Sequence, residues 1–226
     1  MKNDLYLVYG ETEINHLRKR DKKLGAVIDQ IGVVDQDGII KRKVNPDVFS
    51  SLIQSIISQQ ISSKGAYTVC QKLEAISGLD AFRLHALTAR EIQACGMSMR
   101  KAEYVKGIAD AVVTGAFDIG ALSQMSDADV IRTLSGLKGV GVWTAEMLLI
   151  FSLMRPDVVS YGDLAIRRGM MKLYGLRELS KDQFFRYAKR YAPYGTVASL
   201  YLWHISSPDF LVDAKRKKLA QLPANQ

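Results

Sequence analysis

Apolar residues recur at three- and four-residue spacing along most of the chain, and the five prolines and seventeen glycines fall largely between these periodic stretches. That pattern predicts a mainly helical protein. Val48, Leu52, Ile56 and Ile57 mark one helix, Val69, Leu73 and Ile76 a second, and Tyr104, Ile108 and Val112 a third. Thr88 with Glu91, Ser126 with Asp129, and Ser180 with Gln183 have the spacing of capping pairs, in which a hydroxyl accepts from the backbone amide three residues on. Strand-like alternation is nearly absent. The one stretch of extended character, Gly32 to Asn45, reads as a connector or a small hairpin. No internal repeat and no low-complexity tract interrupts the helical pattern. The expectation is an all-α protein of many short helices.

Composition narrows the partners. The 226 residues, 48% of them hydrophobic, suffice for one ordinary core or two small ones. An excess of 31 Lys+Arg over 23 Asp+Glu gives a net charge of +8, which favours a polyanion through counterion release and steering. Charge by itself only nominates nucleic acid, and the run Lys215, Arg216, Lys217, Lys218 reads equally as a solvated tail. Two cysteines, Cys70 and Cys95, are too few for a disulfide framework or a four-thiolate metal site. His16, His85 and His204 are too scattered for a metal motif. With no signal-like N-terminus and no long apolar run, the expected location is the cytoplasm, nucleoid-associated in a bacterium, with no membrane partner.

Chemistry concentrates in two places. From Ser126 the helical pattern of Val130, Ile131 and Leu134 gives way to Leu137-Lys138-Gly139-Val140-Gly141 and resumes at Val142. Two glycines two apart permit a tight turn and leave its amides uncovered, and the amides at the start of the following helix suit a phosphate. Taken alone, the two glycines favour an ordinary helix–helix connection with a glycine C-cap. Downstream, Ser160-Tyr161-Gly162-Asp163 runs into the helical segment Leu164-Ala165-Ile166-Arg167-Arg168. Asp163 is placed to cap that helix. Capping and catalysis are compatible, because the same amides fix the carboxylate in orientation.

Leu137-Lys138-Gly139-Val140-Gly141 resembles the helix-hairpin-helix of DNA repair proteins. With Asp163 about twenty residues on, the combination is similar to the helix-hairpin-helix (HhH-GPD) glycosylase superfamily from roughly Val48 to Ile205, a Gly/Pro-rich loop leading there to an essential Asp. The resemblance implies that the amides of Gly139, Gly141 and Thr144 grip a phosphate of double-stranded DNA, with Lys138 nearby. It also implies that the carbonyls of Ser135, Leu137 and Val140 hold a structural Na+ or K+, with no other cofactor required. Asp163 becomes the catalytic carboxylate, facing positive charge on the sugar as an N-glycosidic bond breaks. Ser160-Tyr161 departs from the proline often found in that loop.

Relatives that also cut the backbone carry a Lys nucleophile where this chain has Trp143, so the resemblance implies a monofunctional hydrolase. Gly141-Val142-Trp143-Thr144-Ala145 is similar to the AlkA type, DNA-3-methyladenine glycosylase II, acting on alkylated bases. Trp143, Met147 and the tyrosines of Tyr191-Ala192-Pro193-Tyr194 then border the base pocket, core packing being the alternative for each aromatic. Ser58-Gln59-Gln60-Ile61 resembles the loop that fills the gap left by a flipped nucleotide, with Gln59 and Gln60 as candidates. The implied architecture has two lobes, 48–154 ending in the hairpin and 1–47 with 155–226 carrying the Asp, with a cleft between them, in a monomer. The alternatives are a glycosylase of another base lesion and a non-catalytic module that only binds DNA.

Overall fold

A computed structural model describes residues 4–35 and 39–208. Among them are twelve α-helices and one two-stranded sheet, Leu5–Tyr6 with Lys43–Val44. The chain divides into two compact units.

The first unit holds residues 4–5 and Lys43–Arg155. Ahead of Val48, Asn45 N–H donates to Phe151 O (2.9 Å) and the Lys43 and Asp4 side chains pair at 2.6 Å. Its central helix, α3 (Val48–Ser58), buries Leu52, Ile53, Ile56 and Ile57 completely. Removing each such side chain from water is worth about 1.5–3 kcal/mol. Packed on α3 are α4 (Ser63–Ser77), α7 (Met99–Val113) and α9 (Val142–Phe151), while α5 (Ala81–Ala86) and α6 (Ala89–Ala94) lie on α7, and α8 (Asp127–Ser135) on α9. Thr88 forms a reciprocal capping box with Glu91, and Ser126 accepts from Asp129 N–H, as their spacing predicts.

The second unit holds Tyr6–Arg42 and the described residues from Pro156 onward. Here α1 (Glu11–Arg20) packs on α2 (Lys22–Asp35) and α11 (Lys181–Tyr191), and α10 (Leu164–Tyr174) packs on α12 (Gly195–Ser206). Ser180 and Gln183 cap α11 reciprocally. Helix α12 is buried from Gly195 through Leu202, as a helix apolar all round must be. One expectation is corrected: Gly32–Asp35 is helical, because Leu24, Ile28 and Ile31 continue a buried stripe that carries α2 past Gly32. Residues 36–38 and the basic run at 215–218 lie outside the described residues.

A polar knot ties this unit together. Asp21 caps α2 through Lys23 N–H and Leu24 N–H (3.1 and 3.0 Å) and accepts from Tyr174 Oη–H and from Arg190 (3.3 Å). Tyr174 and Tyr191 share a hydrogen bond of 2.8 Å. Burial pushes both phenols well above the usual tyrosine range; Asp21 and Tyr191 add to the rise in Tyr174, while in Tyr191 the bond to Tyr174 offsets part of it, and both stay protonated as donors.

Candidate functional site

The hairpin is built as its glycines require. Gly139 sits at φ +86°, and a Cβ there would lie 2.3 Å from the Tyr104 ring of α7, so only glycine fits. Val140 N–H closes the turn onto Leu137 O (3.1 Å), and Gly141, exposed and without a side-chain cap, opens α9. Among the described residues, the amides of Gly139, Gly141 and Thr144 donate to no other group. These are orphan donors at the positive end of a helix, which is what an anion needs. Lys138 is exposed beside them.

A pocket of about 560 Å³ lies within the first unit, lined by Gln54, Ser55, Ser58 and Gln59 from the α3 side and by Trp143, Met147 and Phe151 from α9. Trp143 keeps 47% of its surface exposed, so it is a wall of this pocket and not core. The two glutamines separate in role. Gln59 is half-buried and donates through Nε2 to Gly139 O (2.9 Å), which ties the end of α3 to the hairpin. Gln60 is exposed and held at φ +58°, a conformation that costs a non-glycine residue about 1–2 kcal/mol.

In the second unit, Asp163 caps α10. Its Oδ1 accepts from Ile166 N–H (2.9 Å) and from Trp203 Nε1–H of α12 (3.1 Å), and only 8% of the residue is exposed. The loop before it is stitched to the start of α12. Gly195 N–H donates to Asp157 Oδ1 (3.0 Å), Thr196 N–H to Pro156 O (2.9 Å), and Val158 N–H to Thr196 Oγ1 (3.1 Å), while Ser199 Oγ–H donates to Val158 O (2.9 Å). Those bonds pin the loop at Pro156, Asp157 and Val158. A buried carboxylate with two donors on one oxygen has a fixed direction, and can stabilise a cation or take a proton from water.

Of the aromatic pair expected at the base pocket, Tyr191 has no exposed surface and spends its hydroxyl on Tyr174, which is the core-packing alternative. Tyr194 is half-buried, edge-on to His16 at 5.1 Å between ring centroids. Trp203 escaped the sequence reading. It lies 40 residues beyond Asp163, and no local spacing connects the two.

A phosphate-ready hairpin between α8 and α9, a side-chain-lined pocket beside it, and a buried carboxylate capping the helix after a pinned loop define a helix-hairpin-helix protein of DNA repair. The chain belongs to the HhH-GPD superfamily of base excision DNA repair proteins, whose family model matches residues 53–193. It is 31% identical to DNA-3-methyladenine glycosylase 1 of Schizosaccharomyces pombe over 210 residues, covering 90% of this chain and 91% of the relative. It is 25% identical to DNA-3-methyladenine glycosylase 2 of Escherichia coli over 170 residues, 70% of this chain and 57% of that one. Among solved structures, DNA-3-methyladenine glycosidase from Bacillus halodurans superposes with a TM-score of 0.78 at 32% identity, over 90% of this chain and 93% of its own. The S. pombe 3-methyladenine DNA glycosylase in complex with abasic DNA superposes with a TM-score of 0.71 at 30% identity, over 85% of this chain and 95% of its own. DNA is thus the partner class, and no described helix is long and apolar enough to cross a membrane.

Proposed function

We propose that this chain is a monofunctional DNA glycosylase that hydrolyses the N-glycosidic bond of alkylated bases of the 3-methyladenine type, acting as a monomer on double-stranded DNA. The observation that carries the reading is Asp163: buried, capping α10, and aimed by Ile166 N–H and Trp203 Nε1–H. The bond between C1′ and the base nitrogen breaks with its electron pair leaving on the base, and positive charge grows on the sugar. The Asp163 carboxylate stabilises that charge. Water oxygen then bonds to C1′, and its proton passes to Asp163. An alkylated purine already carries positive charge, departs neutral, and needs no strong general acid.

The other roles follow from local geometry. The unpaired amides of Gly139, Gly141 and Thr144 receive a phosphate, with Lys138 adding charge, and such contacts position the duplex without reading sequence. Trp143 and Met147 offer an apolar wall to an extruded base. Gln60, exposed where Gln59 is committed to Gly139 O, is the residue that fills the vacated gap. The carbonyls of Ser135, Leu137 and Val140 form an oxygen-only set suited to Na+ or K+. The buried Ser135 Oγ, which has no partner, supports that fit. With Trp143 where lyases carry their Lys, no strand cleavage is expected.

Release of free bases from methylated duplex DNA, run beside a gel for strand breaks, tests the proposal. Base release without breaks before alkaline treatment supports it. Breaks formed directly by the enzyme contradict the monofunctional assignment, and absence of release contradicts the substrate assignment.

A further inference from the structure

The α3 helix stops at Ser58, Gln59 turns to ψ 130°, and Gln60 follows at φ +58°. A left-handed, exposed, non-glycine residue keeps that conformation only if the surroundings over-determine it. The last carbonyls of a helix have no intrahelical donor and sit at its negative end. Here one side chain meets them from another helix. Lys101, in the first turn of α7, donates from Nζ to Ile57 O (2.7 Å) and to Gln59 O. Among the described residues no carboxylate pairs with this ammonium. The residue is half-buried, its Nζ is held by two backbone oxygens, and burial lowers its pKa. Most lysines keep the head group solvated.

The same stretch of α7 braces the hairpin. One turn on, Tyr104 lies under Gly139, and Gly139 O accepts from Gln59 Nε2 (2.9 Å). Lys101, Gln59, Gly139 and Tyr104 are thus joined by a chain of contacts that fixes Gln59, the residue directly before the exposed Gln60.

We propose that Lys101 is a positioning residue that holds the Gln59–Gln60 turn in the geometry needed to displace a base from the duplex. The inference rests on Gln60 filling the gap. Losing the ammonium leaves Ile57 O and Gln59 O to water, the turn relaxes toward ordinary φ, and Gln60 spends less time poised to enter the stack.

Single-turnover base release is measured on two duplexes with one 7-methylguanine each, opposite cytosine in the first and opposite a tetrahydrofuran gap in the second, where extrusion needs little help. The proteins are wild type, Lys101→Met, Lys101→Arg, Gln60→Ala and Lys101→Met/Gln60→Ala, each with its unfolding midpoint. Lys101→Met is expected to lose about tenfold on the paired duplex, the worth of one charge-assisted hydrogen bond, and little on the gapped one. Lys101→Arg restores most of the loss, and the double variant is no slower than Gln60→Ala. An equal loss on both duplexes for Lys101→Met, or none, while Gln60→Ala remains selective for the paired duplex, overturns the positioning role and spares the gap-filling role of Gln60. Equal effects of Gln60→Ala on both duplexes overturn that role and the present inference with it.

Discussion

Gly169 lies mid-helix in α10, where alanine ordinarily stabilises by about 1 kcal/mol. A Cβ built there would stand 2.0 Å from Leu202 O, 2.7 Å from Leu202 C and 3.0 Å from Leu202 Cα. The first distance is more than an ångström short of van der Waals contact, and the obstacle is backbone, which has no rotamer to change. Overpacking of one extra carbon costs about 1–3 kcal/mol even where side chains yield, so the upper end applies. Separating α10 from α12 also stretches the Trp203–Asp163 hydrogen bond, worth about 1–3 kcal/mol when a buried partner is left unmet. Set against the helix-propensity gain, Gly169→Ala should destabilise by about 3 to 5 kcal/mol in urea unfolding. It should also lower single-turnover base release beyond what the unfolded fraction explains. Gly107→Ala is the matched control: Gly107 lies in α7 with nothing within 4 Å of its added Cβ, and the change should stabilise by about 0.5–1 kcal/mol. A Gly169→Ala protein as stable as wild type refutes the close approach of α10 to α12 and the aiming of Asp163 built on it.

Gly139→Ala meets both the left-handed backbone and the Tyr104 ring, and should cost about 2 to 4 kcal/mol of stability, of which Tyr104→Leu in the same protein recovers only the steric part. Trp143→Ala should leave unfolding within about 0.5 kcal/mol, since the ring is 47% exposed, yet raise KM for alkylated duplex severalfold by removing a pocket wall. Burial is the largest single influence on Asp110 and raises it, but the hydrogen bonds from Lys106 (2.5 Å) and His85 (2.6 Å) and the charges of both partners together outweigh burial and hold the carboxyl below the ordinary value of 3.8. A depressed carboxyl contributes stability above that value and loses it as pH falls through the folded pKa. Asp110→Asn, at a site 40% exposed, should therefore cost about 0.5 kcal/mol or less at pH 7, the difference vanishing in the acid range below 3.8.

What the chain declares locally is what could be read from it. Helices α3, α4 and α7 follow from apolar spacing, three caps follow from paired residues, and the hairpin and Asp163 are each contiguous motifs. Contacts across the sequence left no such trace. Trp203 reaches Asp163 from 40 residues away, and Lys101 reaches Gln59 O from 42. Tyr191 sits in an aromatic motif that fits a pocket wall or a core equally, and only its bond to Tyr174 distinguishes the two. The extended reading of Gly32 to Asn45 fails at its start, because the buried stripe of Leu24, Ile28 and Ile31 carries α2 through Gly32 despite glycine's poor helix propensity.

The central claim, that Asp163 carries the chemistry, is tested most directly by single-turnover release of alkylated bases from duplex DNA by wild type and Asp163→Asn. The asparagine still accepts from Ile166 N–H and Trp203 Nε1–H, so fold and DNA affinity should persist while release falls at least a hundredfold, the order of a lost general base or charge stabiliser. Release by the variant at the wild-type rate would contradict the account, and would leave Asp163 as a helix cap alone.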